Sequence, residues 1–519
     1  MTRGTGLLVV ALAALALALW SLAPDQRPLH NDEAVNGVKF GQLWSGQGYR
    51  YDPNEHHGPS LYYATLAVSR LTGAPADCDS LTDGRLRFTT VLFGAGLLLL
   101  LLLVADGLGR HAVAWAALLT ATSPAIVFYS RYYIHEVLLV FFTFLAIAAG
   151  WRYSRRRRVG WLLLAGAAVG AMHATKETFV ITLAAAMLAL GLNQLWGRWL
   201  DASAAPPKPC GLKFSHLAAA VGVWLVVALL LFSSFFANAA GPLDSVRTYL
   251  PWLNRAGGAS PHIHPWSFYL HRLLFFHADK GPVWSEAFIL ALAVVGARAA
   301  FVRQGVAGAS AGFVRFLALY AFALMAAYSL ISYKTPWCLL SFWHGMILLA
   351  GVGAAWLAGR AKRRLPRIAI TLLLLAGAGH LAWQAMLANG PYAADRRNPY
   401  VYAQTSPDLP RLVRQVEALA RAHPQGHQML VHVMAPDSDY WPLPWYLRSL
   451  KQVGWWDQVP ADPYGAVMIA SSQLHAALDE RQTHVMVGYF ELRPQVFLEL
   501  YVDLDLWRAY LAKNPAKPE

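Results

Sequence analysis

Long apolar runs recur along most of this chain, and no other feature constrains its fold as tightly. A helix needs about 20 mostly apolar residues to cross the hydrocarbon of a bilayer. Eleven stretches of the 519-residue sequence approach that requirement: 6–23, 87–104, 112–128, 136–151, 159–173, 178–196, 215–237, 284–302, 314–332, 338–358 and 367–387. Backbone groups inside hydrocarbon find no water, so such segments fold as helices packed on one another. Only 14% of residues are charged, against roughly 25% in ordinary soluble domains. The chain therefore reads as an α-helical polytopic membrane protein.

The charged residues carry the topology. With the N-terminus inside, the inward segments hold Arg3, Arg110, Arg152, Arg155–Arg158, Arg198, Lys208, Lys213, Arg303 and Arg315, then Arg360, Lys362, Arg363, Arg364 and Arg367. This is the positive-inside pattern, and an odd number of spans puts the C-terminus outside. Pro24, directly after Ser21-Leu22-Ala23, argues against cleavage of the first apolar stretch as a secretory signal. The net charge of +14 is spread over loops rather than gathered in a soluble module, which argues against nucleic-acid binding. Cys78, Cys210 and Cys338 form no disulfide framework or metal spacing; a Cys78–Cys338 bridge requires a fold that brings the two together.

Two outer segments are long, 24–86 and 238–283. The first has amphipathic helical patterns near 32–45 and 59–72. Beyond about 388 the apolar runs end. Short β-like runs at Met429–Met434, Ala466–Ala470 and Val485–Tyr489 alternate with helical patterns near 408–422 and 472–480. The expected organisation is a membrane domain over 1–387 and a small extracytoplasmic α/β domain over 388–519.

The ionisable residues near the spans gather on the outer side. Asp32 and Glu33 follow the first span, and Glu55, His56 and His57 lie in the same loop. Arg131, His135 and Glu136 join the third and fourth spans; His173, Lys176 and Glu177 join the fifth and sixth; Lys334 joins the ninth and tenth. Charges near a membrane are costly, and one at a time they read as interfacial residues or ion pairs. Five clusters on one face point to a shared site. Carboxylates with cations suit a hydroxyl nucleophile and a phosphate leaving group: the carboxylate takes the proton, and the cations hold the developing phosphate charge. Asp32 is the expected base, although Asn31 or Asp32 would equally cap a following helix. Glu33 is expected to orient Asp32 or the acceptor. Glu55, His56 and His57 line a substrate pocket or, with Asp32, bind a divalent metal. His262 and His264 read as plain loop residues.

His30-Asn31-Asp32-Glu33-Ala34 resembles the acidic first-loop motif of GT-C glycosyltransferases. Tyr51-Asp52-Pro53-Asn54-Glu55-His56-His57-Gly58-Pro59 with Leu61-Tyr62-Tyr63 is similar to a narrower group, the prokaryotic relatives of protein O-mannosyltransferases (glycosyltransferase family 39-like, some described as flippase-associated). Ser130–Glu136, Ala174–Glu177, Tyr333–Trp337, Trp441–Tyr446 and Leu492-Arg493-Pro494 fit the same group. The resemblance implies a GT-C fold of about 11 spans and a polyprenyl-phosphate sugar donor. It also implies inverting transfer to a hydroxyl on protein, lipid or glycan at the outer face of the cytoplasmic membrane. It puts the motif acid at Asp32 with Glu33 beside it, and phosphate contacts at Arg131, Lys176 and Lys334. Two rival readings are a lipid-linked-sugar flippase and a non-catalytic subunit of a surface-glycan assembly system. No internal repeat of the transporter kind is present.

Overall fold

A computed structural model describes residues 3–514 apart from 24, 26, 56, 200–211, 258–261 and 303–307. His56, Lys208, Cys210 and Arg303 thus lie outside the described residues.

Helices occupy all eleven apolar stretches. Eight of the described helices are long and apolar enough to cross a membrane: Arg3–Trp20, Asp83–Leu108, Glu136–Arg156, Phe179–Arg198, Phe214–Phe232, Ala311–Leu330, Pro336–Arg360 and Arg364–Asn389. A further span is broken, with Arg110–Thr122 and Pro124–Ser130 meeting at a 60° bend. The remaining two stretches are the apolar helices Val159–His173 and Ala287–Phe301, 15 residues each. At about 1.5 Å per residue they are roughly 22 Å long, shorter than the ~30 Å hydrocarbon core.

The bend has a local cause. Pro124 supplies no N–H, and the new helix it starts exposes unpaired donors. Glu286 takes them: its fully buried carboxylate accepts from Ala125 N (3.0 Å) and Ser123 Oγ (2.5 Å), and also from Tyr400 Oη (2.6 Å) and Trp343 Nε1 (3.2 Å). Elsewhere small residues set the helix spacing. Gly353 and Gly296 face each other where Ala287–Phe301 crosses Leu340–Arg360; a Cβ on Gly353 would sit 2.0 Å from Leu292 O, so the backbones can approach this closely only without side chains.

The connections sort to two ends. Arg110, Arg155–Arg158 and Arg360–Arg364 fall at or beside helix ends on one side of the alternating spans, and Asp32, Arg131, Lys176 and Lys334 at or beside helix ends on the other. At the second end lie helices Asn31–Trp44 and Ser60–Leu71, as expected from the sequence, and three short helices between Gly241 and Leu274.

The C-terminal unit docks on that same end. Its five strands are β1 Leu430–Met434, β2 Gln452–Trp456, β3 Val467–Ser471, β4 His484–Arg493 and β5 Val496–Asp503, in the order β2-β1-β3-β5-β4. β1 runs parallel to β2 and β3, and β5 antiparallel to β3 and β4. Strand alternation sends Val431, Val433, Ile469, Leu498 and Leu500 to one face. There they meet Leu412, Val416 and Leu419 of helix Leu409–Ala422. Met434, Met468 and Tyr501 fill the opposite face. The helix expected over 472–480 is only the turn Ser472–Leu474, ended by His475 in the left-handed region (φ 46°).

Side chains fasten the unit to the first long loop. The Asp83 carboxylate accepts from Trp445 Nε1 (2.7 Å) and Tyr446 Oη (2.6 Å), and the Tyr446 oxygen accepts from Leu29 N (2.7 Å). Thr405 Oγ1 donates to Leu29 O (2.7 Å) and Gln404 Nε2 to Pro28 O (3.0 Å). Cys78 and Cys338 are both free. Cys78 lies against Gly41, and Cys338 lies 3.8 Å from Lys176, so the fold does not bring the two cysteines together.

Candidate active site

The adjacent acids Asp32 and Glu33 open helix Asn31–Trp44 but face different surroundings, because successive helical residues point about 100° apart. Glu33 is fully buried and saturated. Arg87 grips it with two parallel bonds (Nε to Oε1 2.8 Å, Nη2 to Oε2 2.9 Å), and Arg27 lies 3.4 Å from both oxygens. Tyr133 N (2.9 Å) and His30 N (3.0 Å) complete it, the second as half of a capping box. Burial alone would raise this carboxyl, but Arg87 and Arg27 bring it down to about 2. Asp32 is 53% exposed at its side chain, and its carboxylate lies 3.9 Å from His30 Nδ1. The backbone N–H of Asp32 donates to that same nitrogen (3.1 Å), so His30 caps the helix and Asp32 is left to face outward.

A wall of rings runs from Asp32 into the molecule. His30 packs edge-on against Trp337 (5.6 Å between centroids), Trp337 against Tyr402 (6.0 Å), and Tyr402 against His262 (5.5 Å). The line continues through Tyr333, Trp252 and His57 to His135, at 5.0, 6.4, 5.1 and 5.3 Å. The Tyr402 hydroxyl is hydrogen-bonded to both His262 Nδ1 (2.7 Å) and His264 Nε2 (3.3 Å). Burial pushes the His262 imidazole below its usual pKa, and Asp32 opposes that shift. The two histidines that read as plain loop residues are therefore part of the wall next to Asp32. No short-range pattern marks them; the signal is their pairing with Tyr402, 140 and 138 residues away.

Lys334 is buried and donates to His264 O (2.9 Å) and Ile331 O, while its own backbone N–H donates to His262 O (2.8 Å). Arg272, which the sequence did not single out, lies over Phe268 (3.7 Å to the ring centroid) and donates to Pro399 O (3.1 Å). Lys176 is buried in an ion pair with Glu136.

The two loop motifs are stitched together here. Gly58 N donates to Thr175 O (3.1 Å), Ser60 N to Ala174 O (2.8 Å), and the Ser60 and Thr175 hydroxyls lie 2.7 Å apart. A Cβ on Gly58 would fall 2.3 Å from Ala174 O, so only glycine permits this approach. His135 Nε2 holds Gly58 O (3.0 Å), and His57 Nδ1 pairs with Glu177 Oε2 (2.8 Å). Burial would raise the Glu177 carboxyl, but His57 draws it below the usual range.

Asp32, His57, His135, Glu136, Lys176, Glu177 and Lys334 are thus linked through the ring wall, the Gly58 stitch and the segment 331–338. Three predicted residues stand apart. Arg131 turns to Leu22 O (2.7 Å) and Ala23 O (3.0 Å) and lines a different cavity. His173 stacks on Phe179 and packs against Phe232. Glu55 is exposed at the loop surface. Among the described residues no three His, Cys, Asp or Glu side chains converge in a way that would hold a metal ion.

Residues 78–240 match the family described as dolichyl-phosphate-mannose-protein mannosyltransferase. Two solved structures of ArnT from Cupriavidus metallidurans share the architecture. The one bound to undecaprenyl phosphate has a TM-score of 0.63 and 15% identity, over 98% of this chain and 99% of that one. The apo form has a TM-score of 0.61 and 14% identity, over 96% and 98%. No curated protein sequence matches the chain. The protein therefore has the GT-C fold, and its residues 78–240 are similar to the mannosyltransferase family.

Proposed function

We propose that this GT-C chain is an integral-membrane glycosyltransferase that moves a sugar from a polyprenyl-phosphate donor to a hydroxyl acceptor, with Asp32 as general base. One observation carries the reading. Of two adjacent carboxylates, Glu33 is saturated by Arg87, Arg27 and two backbone N–H groups, while Asp32 stays half-exposed beside a wall of imidazole and aromatic rings. Likeness to an ArnT bound to undecaprenyl phosphate supports a lipid-phosphate donor.

In this mechanism Asp32 takes the acceptor hydroxyl proton while that oxygen attacks the anomeric carbon. The bond from that carbon to the phosphate oxygen breaks, and polyprenyl phosphate leaves with the electron pair. A single displacement inverts the anomeric centre. Glu33 acts as a positioning residue, holding the helix start that presents Asp32. Lys334 and Arg272 stand on the His264 side of the wall and supply positive charge for the departing phosphate; Lys176, neutralised by Glu136, shapes the floor. Rings on one wall suit the faces of a sugar or prenyl group. The positive-inside distribution of Arg110, Arg155–Arg158 and Arg360–Arg364 supports a site on the outer side of the cytoplasmic membrane, with the C-terminal unit outside.

The test uses purified protein with labelled polyprenyl-phosphate sugars and measures release of polyprenyl phosphate. Release by the wild type and its loss in Asp32→Asn, with unfolding unchanged, is the expected outcome. Equal release by Asp32→Asn would sink the assignment of the base. Transbilayer movement of the lipid without release would favour a flippase instead.

A further inference from the structure

A cavity of about 450 Å³ opens beside the end of the first span, between Trp20, Val68, Phe88 and Val91 on its apolar side and Arg85 and Arg131 on its polar side. Asp32, Lys176 and Lys334 do not line it. Its height is set by the fold: Trp20 closes the apolar helix Arg3–Trp20, and Arg85, Phe88 and Val91 fall in the first turns of Asp83–Leu108. Helix ends of this kind, with a Trp at the rim, lie at the level of lipid headgroups.

Its charges are not balanced from within. Arg87 also reaches the cavity, but Glu33 neutralises it. Asp25 is the one acid in the lining, and its Oδ1 is taken by Gly84 N (2.6 Å). The Arg131 guanidinium uses Nη2 on the carbonyls of Leu22 and Ala23 and pairs with no carboxylate among the described residues. Arg85 has no side-chain partner among the described residues. Burial, with Arg27 and Arg87 nearby, pulls the Arg131 guanidinium down to about 10. Two guanidinium forks against one acid leave the cavity net positive, and a partly buried cation gains most from an anion that accepts two bonds at once.

We infer that this cavity binds the phosphate of a membrane lipid, with Arg85 and Arg131 on the phosphate oxygens and the lipid chain running along Phe88 and Val91. The site is separate from the Asp32 wall, and the inference does not rest on Asp32 being a base. It touches the scaffold of that wall from behind: Arg131 O accepts from Arg27 Nη2 (3.0 Å), and Arg27 lies against Glu33. A bound lipid phosphate therefore steadies the segment that presents Asp32.

The experiment is native mass spectrometry of the full chain, delipidated in nonionic detergent and titrated with dioleoyl phosphatidylglycerol or with inorganic phosphate. Wild type is expected to retain one phosphatidylglycerol, and Arg85→Ala to weaken retention about tenfold. Arg85→Lys should recover part of the loss, and Thr72→Trp, which fills the mouth, should abolish binding. Asp32→Asn should retain the lipid as wild type does. Thermal unfolding of each variant checks that it is folded. Undiminished retention in both Arg85→Ala and Thr72→Trp would overturn the site, as would retention lost in Asp32→Asn. Inorganic phosphate binding as tightly as the lipid would replace a lipid site with one for free phosphate.

Discussion

The contrast between Asp32 and Glu33 makes a quantitative prediction. Glu33→Gln keeps the side-chain shape but removes a charge that two buried arginines require. Its carboxyl titrates near 2 instead of the ordinary 4.5. At about 1.4 kcal/mol per pKa unit, this difference corresponds to about 3 kcal/mol of folded-state stabilisation. The loss on breaking a buried pair from one side is also about 3–5 kcal/mol, so both routes reach the same size. Because the folded pKa is depressed, the stabilisation is complete above about pH 4.5 and drains away as pH falls towards 2. Asp32→Asn removes only a half-exposed carboxylate at a helix start, worth less than about 1 kcal/mol. The assay is thermal unfolding of detergent-purified wild type, Glu33→Gln and Asp32→Asn at pH 7 and at several lower values. Glu33→Gln should unfold well below wild type at pH 7, with the gap narrowing in acid, and Asp32→Asn should track wild type. Equal stability of Glu33→Gln and wild type at pH 7 would refute the view that this carboxylate is the structural one.

Other changes probe the site and its supports. Tyr402→Phe removes the hydroxyl shared by His262 and His264; steady-state kinetics should show KM raised several-fold with little shift in unfolding temperature, and unchanged kinetics would remove this wall from the site. Gly58→Ala should cost about 1–3 kcal/mol of stability by overpacking and lower kcat, both measurable on one preparation. Asp83→Ala strips the acceptor from Trp445 and Tyr446. At about 1–3 kcal/mol for each buried donor left unpaired, limited proteolysis should then release the C-terminal unit sooner than in wild type.

The membrane architecture was legible because each span is written in consecutive residues. All eleven apolar stretches became helices, and helices 31–44 and 60–71 followed from amphipathic spacing. Two stretches are shorter than a span, since length in hydrocarbon is decided by where a helix stops, and caps blur that in sequence. The bend at Ser123-Pro124 had a local signal in the proline, but its partner Glu286 lies 163 residues away from Ser123. In the sheet, the expected runs matched β1, β3 and part of β4. β2 is an edge strand with a weak apolar run, and in β5 the buried run Leu500-Tyr501-Val502 breaks the strict alternation that marks a strand. The site was legible as a list of residues and opaque as an arrangement. Nothing near Glu33 announces that Arg87, 54 residues on, will saturate it. Arg131 shares a segment with His135 and Glu136 yet turns away from them, because the carbonyls of Leu22 and Ala23 after the first helix take its guanidinium.

The Tyr446 hydroxyl, held between Asp83 and Leu29, ties the timing of assembly to the shape of the site. The ribosome makes the loop carrying Asp32 early and the residues that brace it some 400 positions later. While synthesis proceeds, the loop has its helices and its Arg87 clasp but lacks the outer brace. A chain released early, after its last apolar helix, would insert into the membrane and still present an unbraced loop. The outer brace of this loop thus forms only after the residues around Tyr446 have been made and folded onto Leu29 and Asp83.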